Sequence, residues 1–272
     1  MNKISCLPVS LFDKIITGEY SLADWANIAE NAGLDAFDIS SMFLREHTPV
    51  YISKVCEELD RAVLPPFMMT TYPDFTNPCS LERERQLDYL VFDVAMASAL
   101  GFRYVRVTAG QNHSNINFAQ TVDYVLDCFK RASKRADDYG VKLVFENHAK
   151  PSAWDVVDFS FNPIAFYAIA ANLDDTGVRI NFDTANATAC GEDVCEMYKK
   201  VADKVETIHI NDTQTIGFLT SCALGEGLVD FEKFFSTVKE CGYDGWFSIE
   251  EASNRGVVGI KKAVDFLRGF LV

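Results

Sequence analysis

Apolar residues along the chain follow two spacings, one typical of buried β-strands and one typical of amphipathic helices. Short apolar runs recur, and after each run the apolar residues return every three or four positions. The runs predict eight strands, near residues 3–10, 36–40, 64–71, 104–109, 142–147, 178–183, 205–211 and 245–250. Seven helical segments are expected between these strands, and one more is expected to close the chain.

The helical segments carry apolar stripes at the i, i+3, i+4, i+7 spacing of a single buried face. The clearest stripes are Leu22, Trp25, Ala29 and Ala32, then Phe231, Phe234, Phe235 and Val238, and finally Ile260, Val264, Leu267 and Leu271. A glycine stands between helix and strand in five units, at Gly33, Gly101, Gly140, Gly177 and Gly242. Glycine suits that place because many helices end on a left-handed residue.

Alternation of strand and helix, with no long run of either, predicts a parallel sheet. Eight such units in 272 residues favour an α/β fold closed into a single (β/α)8 TIM barrel, a parallel eight-stranded barrel with outer helices. No linker or low-complexity stretch divides the sequence. We therefore predict one domain, residues 1–272.

Four apolar runs in the second half each end on a side chain that can bind a metal. These runs are VKLVFENH (141–148), VRINFDTAN (178–186), VETIHIND (205–212) and GWFSIEE (245–251), and the candidate ligands are Glu146, Asp183, His209 and Glu250. The carboxyl ends of barrel strands meet at one face of the fold, where active sites lie. Three carboxylates and an imidazole there predict a site for one divalent cation.

Side chains along a strand point alternately to opposite faces. The predicted site therefore requires that all four candidate ligands fall on the inward-facing positions of their strands. Glu146, Asp183, His209 and Glu250 share a face with polar neighbours, whereas the alternate positions are apolar and suit the helical layer. Glu251 shares its face with Phe247 and Ile249, so Glu250 is the inward candidate. Carboxylates buried together without a cation would repel one another and raise their pKa values.

Four further polar residues near the same strand ends are candidate substrate contacts. His148 lies two residues beyond Glu146 and either contacts substrate or caps a loop. Arg106 either binds a substrate oxygen or pairs with a residue such as Asp38. The other two candidates, with a turn role as the alternative for each, are Asn186 and Asn211.

The segment LGEGLVDF (224–231) places two glycines before a helix, a pattern that can bind an anion. A G-x-G pattern alone is weak evidence for such a site. We expect instead a turn that leads into a helix capped by Asp230.

Net charge, apolar stretches and cysteine spacing limit the classes of partner and the cellular location that we expect. The chain has 25 basic and 39 acidic residues, and a net charge of −14 disfavours nucleic acid as a partner. No apolar stretch reaches the roughly 20 residues that span a bilayer, so no membrane role is expected. The eight cysteines form no C-x-x-C pair, and the first residues lack a signal peptide. These features favour a reduced, cytoplasmic protein.

The fragments GLDAFDIS, ENH, INFDTAN, IHIND, LGEGLVDF and GYDGWFSIE, in that order, resemble the xylose isomerase-like superfamily of TIM barrels, in its sugar phosphate isomerase/epimerase branch. The resemblance implies that Glu146, Asp183, His209 and Glu250 hold one divalent metal ion, Mn²⁺ or Mg²⁺, with Co²⁺ or Zn²⁺ as alternatives. It also implies that Glu146 and Glu250 are catalytic. Asn186 departs from the family, because many relatives have a histidine there.

The function that the resemblance implies is sugar isomerisation or epimerisation of a ketose, polyol ketone or sugar phosphate through a metal-stabilised enediolate. The partner is then a small sugar or polyol, and homo-oligomerisation stays open. One alternative is a metal-dependent dehydratase of an inosose-like ketone on the same scaffold. Two others are an endonuclease IV-like DNA repair enzyme, which the net charge and four histidines disfavour, and a sugar-binding barrel without catalysis.

Overall fold

The apolar runs form eight parallel strands in the computed structural model, which describes residues 2–114, 116–151 and 153–271. Numbered one to eight in chain order, the barrel strands are Ile4–Leu7, Phe37–Ser40, Pro66–Thr70, Tyr104–Val107, Lys142–Glu146, Arg179–Asp183, Val205–Ile210 and Trp246–Glu250. Strands two to eight pair in chain order, and strand one pairs with strand eight. The predicted (β/α)8 TIM barrel is confirmed.

Side chains as well as backbone join the first and second strands. The backbone N–H of Asp35 donates to the carbonyl of Ile4 at 2.9 Å, and the Asp35 carboxylate accepts from the Ile4 N–H at 2.8 Å. Ser5 Oγ donates to the Asp38 carboxylate at 2.8 Å. These contacts bring the two edge strands together, so the sheet curves into a barrel.

The strands are surrounded by ten α-helices in the described part of the chain, two more than predicted. They are Phe12–Thr17, Leu22–Asn31, Pro49–Leu59, Ser80–Ala99, Phe118–Asp138, Pro163–Ala170, Thr184–Ala189, Val194–Lys199, Phe231–Glu240 and Gly256–Arg268. The extra helices arise because two segments break near a left-handed glycine, Gly18 with φ 80° and Gly191 with φ 92°. None of these helices is long and apolar enough to cross a membrane.

The helices begin, end and pack as their sequence patterns predict. Ser21 and Asp24 form a reciprocal capping box at the start of Leu22–Asn31. The apolar stripes are buried, apart from Leu271, which is partly buried. The five glycine markers all have positive φ, between 68° at Gly140 and 86° at Gly33. Each therefore reverses the chain into the next strand without the strain that a side chain would add.

The barrel interior changes character along its axis. Near the amino ends of the strands it is apolar, with Phe67, Met68 and Val144 buried together and Phe67 stacked on Trp246 at 4.3 Å between ring centres. Near the carboxyl ends it is lined by buried polar and charged side chains. The polar end is therefore the place for chemistry, as in other TIM barrels.

Candidate metal centre

The four predicted ligands lie at the carboxyl ends of adjacent or nearby strands. Glu146, Asp183 and Glu250 are the last residues of strands five, six and eight, and His209 is the last but one of strand seven. Asp183 stands directly opposite His209 in the pairing of strands six and seven. The alternate residues, such as Phe145 and Ile210, are buried in the main hydrophobic core.

The side chains of these four residues converge. Each offers one donor atom, and the four atoms lie within 4.8 Å of one another. His209 Nδ1 is 3.3 Å from Glu146 Oε1 and 3.3 Å from Glu250 Oε2. Three of the side chains are fully buried, and Glu250, at 14% exposure, faces the mouth of the barrel.

The cluster is not satisfied by the chain itself. Asp183 Oδ2 and His209 Nε2 are buried without a hydrogen-bond partner. Glu146 Oε2 and His209 Nδ1 make ion-pair contacts but no aligned hydrogen bond. Leaving such groups unpaired costs about 1–3 kcal/mol each, and more where they are charged. Carboxylate oxygens and imidazole nitrogens are divalent-cation ligands, and donors on opposite sides of such an ion stand about 4 Å apart. The donor set therefore fits one divalent cation.

Charge is distributed unevenly within the cluster. Burial raises the pKa of Glu146, but the charges of Arg106 and His209 outweigh burial and lower that pKa to about 2. Burial and the negative charges of Glu146 and Glu250 raise the pKa of Asp183 well above its usual value. Burial lowers the pKa of His209, yet Glu146 and Glu250 together raise it well above its usual value. In the metal-free protein the crowded carboxylates thus favour a proton on both Asp183 and His209, and a bound divalent cation would supply that positive charge instead.

Asp183 is held so that one of its carboxylate oxygens stays free. Its Oδ1 accepts from the backbone N–H of Asn186 at 2.6 Å and caps the helix Thr184–Ala189. Asn147 clamps the backbone, because its side chain donates to the Asp183 carbonyl and accepts from the Asp183 N–H, both at 2.8 Å. Sequence reasoning missed Asn147. Its only signal is its place between Glu146 and His148.

Arg106 contacts Glu146 rather than Asp38. Its Nε lies 2.8 Å from Glu146 Oε2, an ion pair whose N–H···O angle is too bent for a hydrogen bond. Its Nη1 donates to the Thr71 carbonyl at 3.1 Å. The guanidinium also lies 4.8 Å from the centre of the Tyr72 ring. Arg106 is fully buried between these groups. Arg106 thus has a structural partner, as one of its two expected roles required, but that partner is Glu146, and Asp38 accepts hydrogen bonds from the hydroxyl groups of Ser5 and Ser248.

The other three candidate substrate contacts border the cluster. Asn186 donates to Glu146 Oε1 at 3.4 Å, and Asn211 donates to Glu250 Oε1 at 3.5 Å. His148 is buried with Nδ1 unpartnered, and burial together with the charge of Arg106 lowers its pKa to about 4. Its imidazole is therefore neutral near pH 7.

Asp74, a residue that sequence reasoning missed, joins two loops at the rim of the barrel. Its carboxylate accepts from the backbone N–H of Gln111 at 2.9 Å and lies 2.8 Å from His113 Nε2. It also accepts from Thr76 Oγ1 at 2.9 Å. The loops after strands three and four are thus held together beside the mouth.

Comparison with known protein sequences links most of the chain to one family. A model of the xylose isomerase-like TIM barrel family matches residues 26–270. Inosose dehydratase from Lacticaseibacillus casei is 23% identical over 137 residues, 44% of this chain and 44% of that protein. L-ribulose-5-phosphate 3-epimerase UlaE from Salmonella paratyphi A is 32% identical over 99 residues, 35% of this chain and 34% of that protein. The chain thus spans less than half the length of either relative.

Solved structures show the same fold over the full chain. A D-tagatose 3-epimerase-like protein superimposes with a TM-score of 0.78 at 21% identity, covering 99% of this chain and 97% of that one. The IOLI protein with a bound zinc atom also has a TM-score of 0.78 at 21% identity, covering 99% and 98%. Identities this low show the barrel architecture alone.

Proposed function

Because the chain belongs to the xylose isomerase-like TIM barrel family, we propose that it is a divalent-metal-dependent sugar isomerase or epimerase. Its substrate would be a ketose, a polyol ketone or a sugar phosphate. The observation that carries this proposal is the convergence of Glu146, Asp183, His209 and Glu250, with donor atoms left unpartnered. Structural neighbours that include a D-tagatose 3-epimerase-like protein and a zinc-bound IOLI protein support both the chemistry and the metal.

The two glutamates are suited to move a proton on and off one carbon. Glu146 and Glu250 reach His209 Nδ1 from different strands, each at 3.3 Å, so they flank one ligand position. In the proposed epimerisation, one ionised carboxylate removes the α-proton of the ketone and the other, protonated beforehand, gives its proton to the opposite face of that carbon. For isomerisation the proton goes to the neighbouring carbon, and exchange with water restores both groups. A divalent cation bound there would supply positive charge beside a substrate oxygen.

Neighbouring side chains would prepare each glutamate for this role. Arg106, 2.8 Å from Glu146, favours the ionised form of that carboxylate. Asn211 donates to Glu250 and so fixes which of its oxygens remains free. His148 and Asn186 keep unpartnered buried atoms, Nδ1 and Oδ1, that suit contacts with substrate hydroxyl groups.

A dehydratase of an inosose-like ketone is the second candidate, supported by the match to inosose dehydratase. Such an enzyme would remove the same α-proton and then expel a β-hydroxyl group. The product mass distinguishes the two reactions, because an epimer or isomer keeps the substrate mass and a dehydratase product loses one water.

The proposal is tested by proton exchange. Protein stripped of metal and reloaded separately with Mn²⁺, Mg²⁺, Co²⁺ or Zn²⁺ is incubated in D₂O with a panel of ketoses and inososes. We expect deuterium at the α-carbon of at least one substrate, dependent on metal, with unchanged carbon skeleton by mass spectrometry. A sugar that binds without any exchange would instead identify a sugar-binding barrel.

A further inference from the structure

A cavity of about 220 Å³ lies beside Glu250, where the segment after strand seven meets the last helix, Gly256–Arg268. Glu226 of that segment lines it, as do Arg255 and Lys262 around the start of the helix. In TIM barrels the loops after strands seven and eight, with a nearby helix N-terminus, frequently bind a substrate phosphate. The side chains around this cavity therefore bear on whether the proposed substrate is phosphorylated.

The backbone donors of the glycine-rich segment are already occupied by a carboxylate of the protein. Asp212 accepts from the N–H groups of Thr213 at 2.9 Å, Gly225 at 3.0 Å, Gly227 at 2.9 Å and Val229 at 3.1 Å. A side chain at Gly227 would overlap this carboxylate. Converging backbone N–H groups are what a bound phosphate uses. The segment is thus an anion site that Asp212 fills.

The arginine at this place is also occupied. Arg255 Nη1 and Nη2 donate to the two oxygens of Glu226 at 2.7 Å and 2.5 Å, which uses the fork that would grip a phosphate. The cavity is lined by two cationic side chains, Arg255 and Lys262, and three carboxylates, Glu226, Glu250 and Glu251. Its formal charge is therefore negative before any ligand arrives.

A third carboxylate, Glu251, lies in the loop between strand eight and the last helix. Glu251 is 4% exposed, and its Oε1 accepts from the backbone N–H of Ser253 at 3.0 Å. A Cβ at Gly259, in the first turns of the helix, would lie 2.6 Å from that oxygen. The other oxygen, Oε2, is buried without a partner, so the negative charge is only partly balanced. The N–H and hydroxyl groups of Ser253, in the loop after strand eight, are thus occupied by an anion that belongs to the chain.

From these contacts we infer that the substrate is an uncharged polyhydroxy ketone, and that Asp212, Glu226 and Glu251 exclude its phosphorylated forms. This inference rests on the proposed function and narrows its substrate class. The inferred substrate differs from that of L-ribulose-5-phosphate 3-epimerase UlaE, whose name specifies a sugar phosphate. The similarity to UlaE covers 35% of this chain. The three carboxylates act by filling the donors that a phosphate would need.

Matched pairs of sugars test the inference. Metal-loaded enzyme in D₂O is given L-ribulose or L-ribulose 5-phosphate, and D-tagatose or D-tagatose 6-phosphate, with calorimetry of each sugar in parallel. In the pair that reacts faster, we expect the free ketose to have a kcat/KM for exchange higher than that of its phosphate ester by on the order of tenfold or more. Its Kd should be lower by a similar factor. Equal or better exchange or binding of the phosphate ester would overturn the inference and leave the proposed function standing.

Failure of the proposed function has a different signature. If no sugar of these pairs and none of the wider panel of ketoses and inososes exchanges, the proposed reaction is contradicted, while the calorimetric order of free and phosphorylated sugar still decides the phosphate question. Tighter binding of the free sugar supports the inference, and tighter binding of the ester overturns it.

A single substitution tests the occupied arginine. Glu226→Gln releases Arg255 and removes one negative charge, so we expect affinity for inorganic phosphate to rise by up to about fivefold. Glu84→Gln is the matched control, because Glu84 pairs with Arg131 at 2.7 Å and 2.5 Å on the outer helices. The control should leave phosphate affinity unchanged. A Glu226→Gln variant that binds phosphate no better than the wild type would contradict the role of Glu226.

Discussion

Asp212 and Asp183 are both fully buried carboxylates near the carboxyl end of a barrel strand, yet they differ in how many hydrogen bonds they accept from the chain. Four backbone N–H groups surround the oxygens of Asp212. Asp183 accepts one such bond, and its Oδ2 is left without a partner beside two other carboxylates. A buried carboxylate whose oxygens the chain satisfies has no position left for a ligand, whereas one with an unpartnered oxygen can take a ligand from outside.

Asp38 shows the first pattern inside the barrel. Its Oδ1 accepts from the Met68 N–H at 3.1 Å, and its Oδ2 accepts from Ser5 at 2.8 Å and Ser248 at 2.5 Å. Together these bonds join strands one, two, three and eight. The unsatisfied group consists of the four candidate ligands on strands five to eight. The satisfied and unsatisfied carboxylates thus differ in their partners, since Asp212 lies just after strand seven, close in the chain to the candidate ligand His209.

The largest expected effect comes from the unsatisfied group. Glu250→Gln keeps the size of the side chain but removes its ability to accept a proton, so turnover should fall by about a thousandfold. Circular dichroism should show an unchanged fold, since Glu250 lies at the mouth and makes a single long hydrogen bond to Asn211. Near-normal kcat in this variant would refute the catalytic role of Glu250.

The satisfied group should act on stability instead. Asp212→Ala removes the acceptor for four N–H groups, so we expect a loss of about 4 kcal/mol in the free energy of unfolding, measured with urea. Gly227→Ala should destabilise in the same direction, because the new methyl group overlaps the Asp212 carboxylate. Wild-type stability in both variants would show that this carboxylate does not support the loop.

Asp38 gives the comparison a pH dependence. Burial outweighs the hydrogen bonds of Ser248 and Ser5 and raises the pKa of Asp38 from its ordinary value of about 4 to about 6. A raised pKa means that the folded state holds the proton more tightly. Its contribution is complete below about pH 4 and is lost as the pH rises through about 6. In metal-free protein, the free energy of unfolding of Asp38→Asn relative to the wild type should therefore be roughly 3 kcal/mol higher at pH 7 than at pH 4.

The smallest stability effect is expected at Asp183 in metal-free protein. Asp183→Asn keeps an Oδ1 to accept from Asn186 and removes one charge from a repelling cluster. We expect its unfolding free energy to lie within about 1 kcal/mol of the wild type, on the stabilising side. A loss of several kcal/mol on urea denaturation would mean that Asp183 is structural, like Asp212.

The alternation of side chains explains how much of the site is readable from sequence. Glu146, Asp183, His209 and Glu250 end or nearly end their strands, so their common face follows from counting residues along each run. The fold is readable for the same reason, since eight strand-and-helix units repeat.

The partners of the site residues depend on reach across strands, which residue spacing does not give. Arg106 stands opposite Val144 in strand pairing and extends toward Glu146, two residues further on. Asp38 is instead satisfied by Ser5 and by Ser248, which is 210 residues away in the chain. The expected helix cap at Asp230 is confirmed by its bond from the Lys233 N–H, but nothing in LGEGLVDF indicates that Asp212 fills the turn before it.

The central claim is that the unsatisfied cluster holds one divalent cation, and Mn²⁺ binding to chelator-treated protein tests it most directly. Calorimetry should give one ion per chain for the wild type and also for the control variant Asp212→Asn. Asp212 is a suitable control because backbone N–H groups already occupy its carboxylate in the wild type. Asp183→Asn should lose at least about tenfold in affinity, because a carboxylate ligand is replaced by an amide. A wild type that binds no Mn²⁺ or other divalent ion, or an Asp183→Asn variant that binds as tightly as the wild type, would contradict the account.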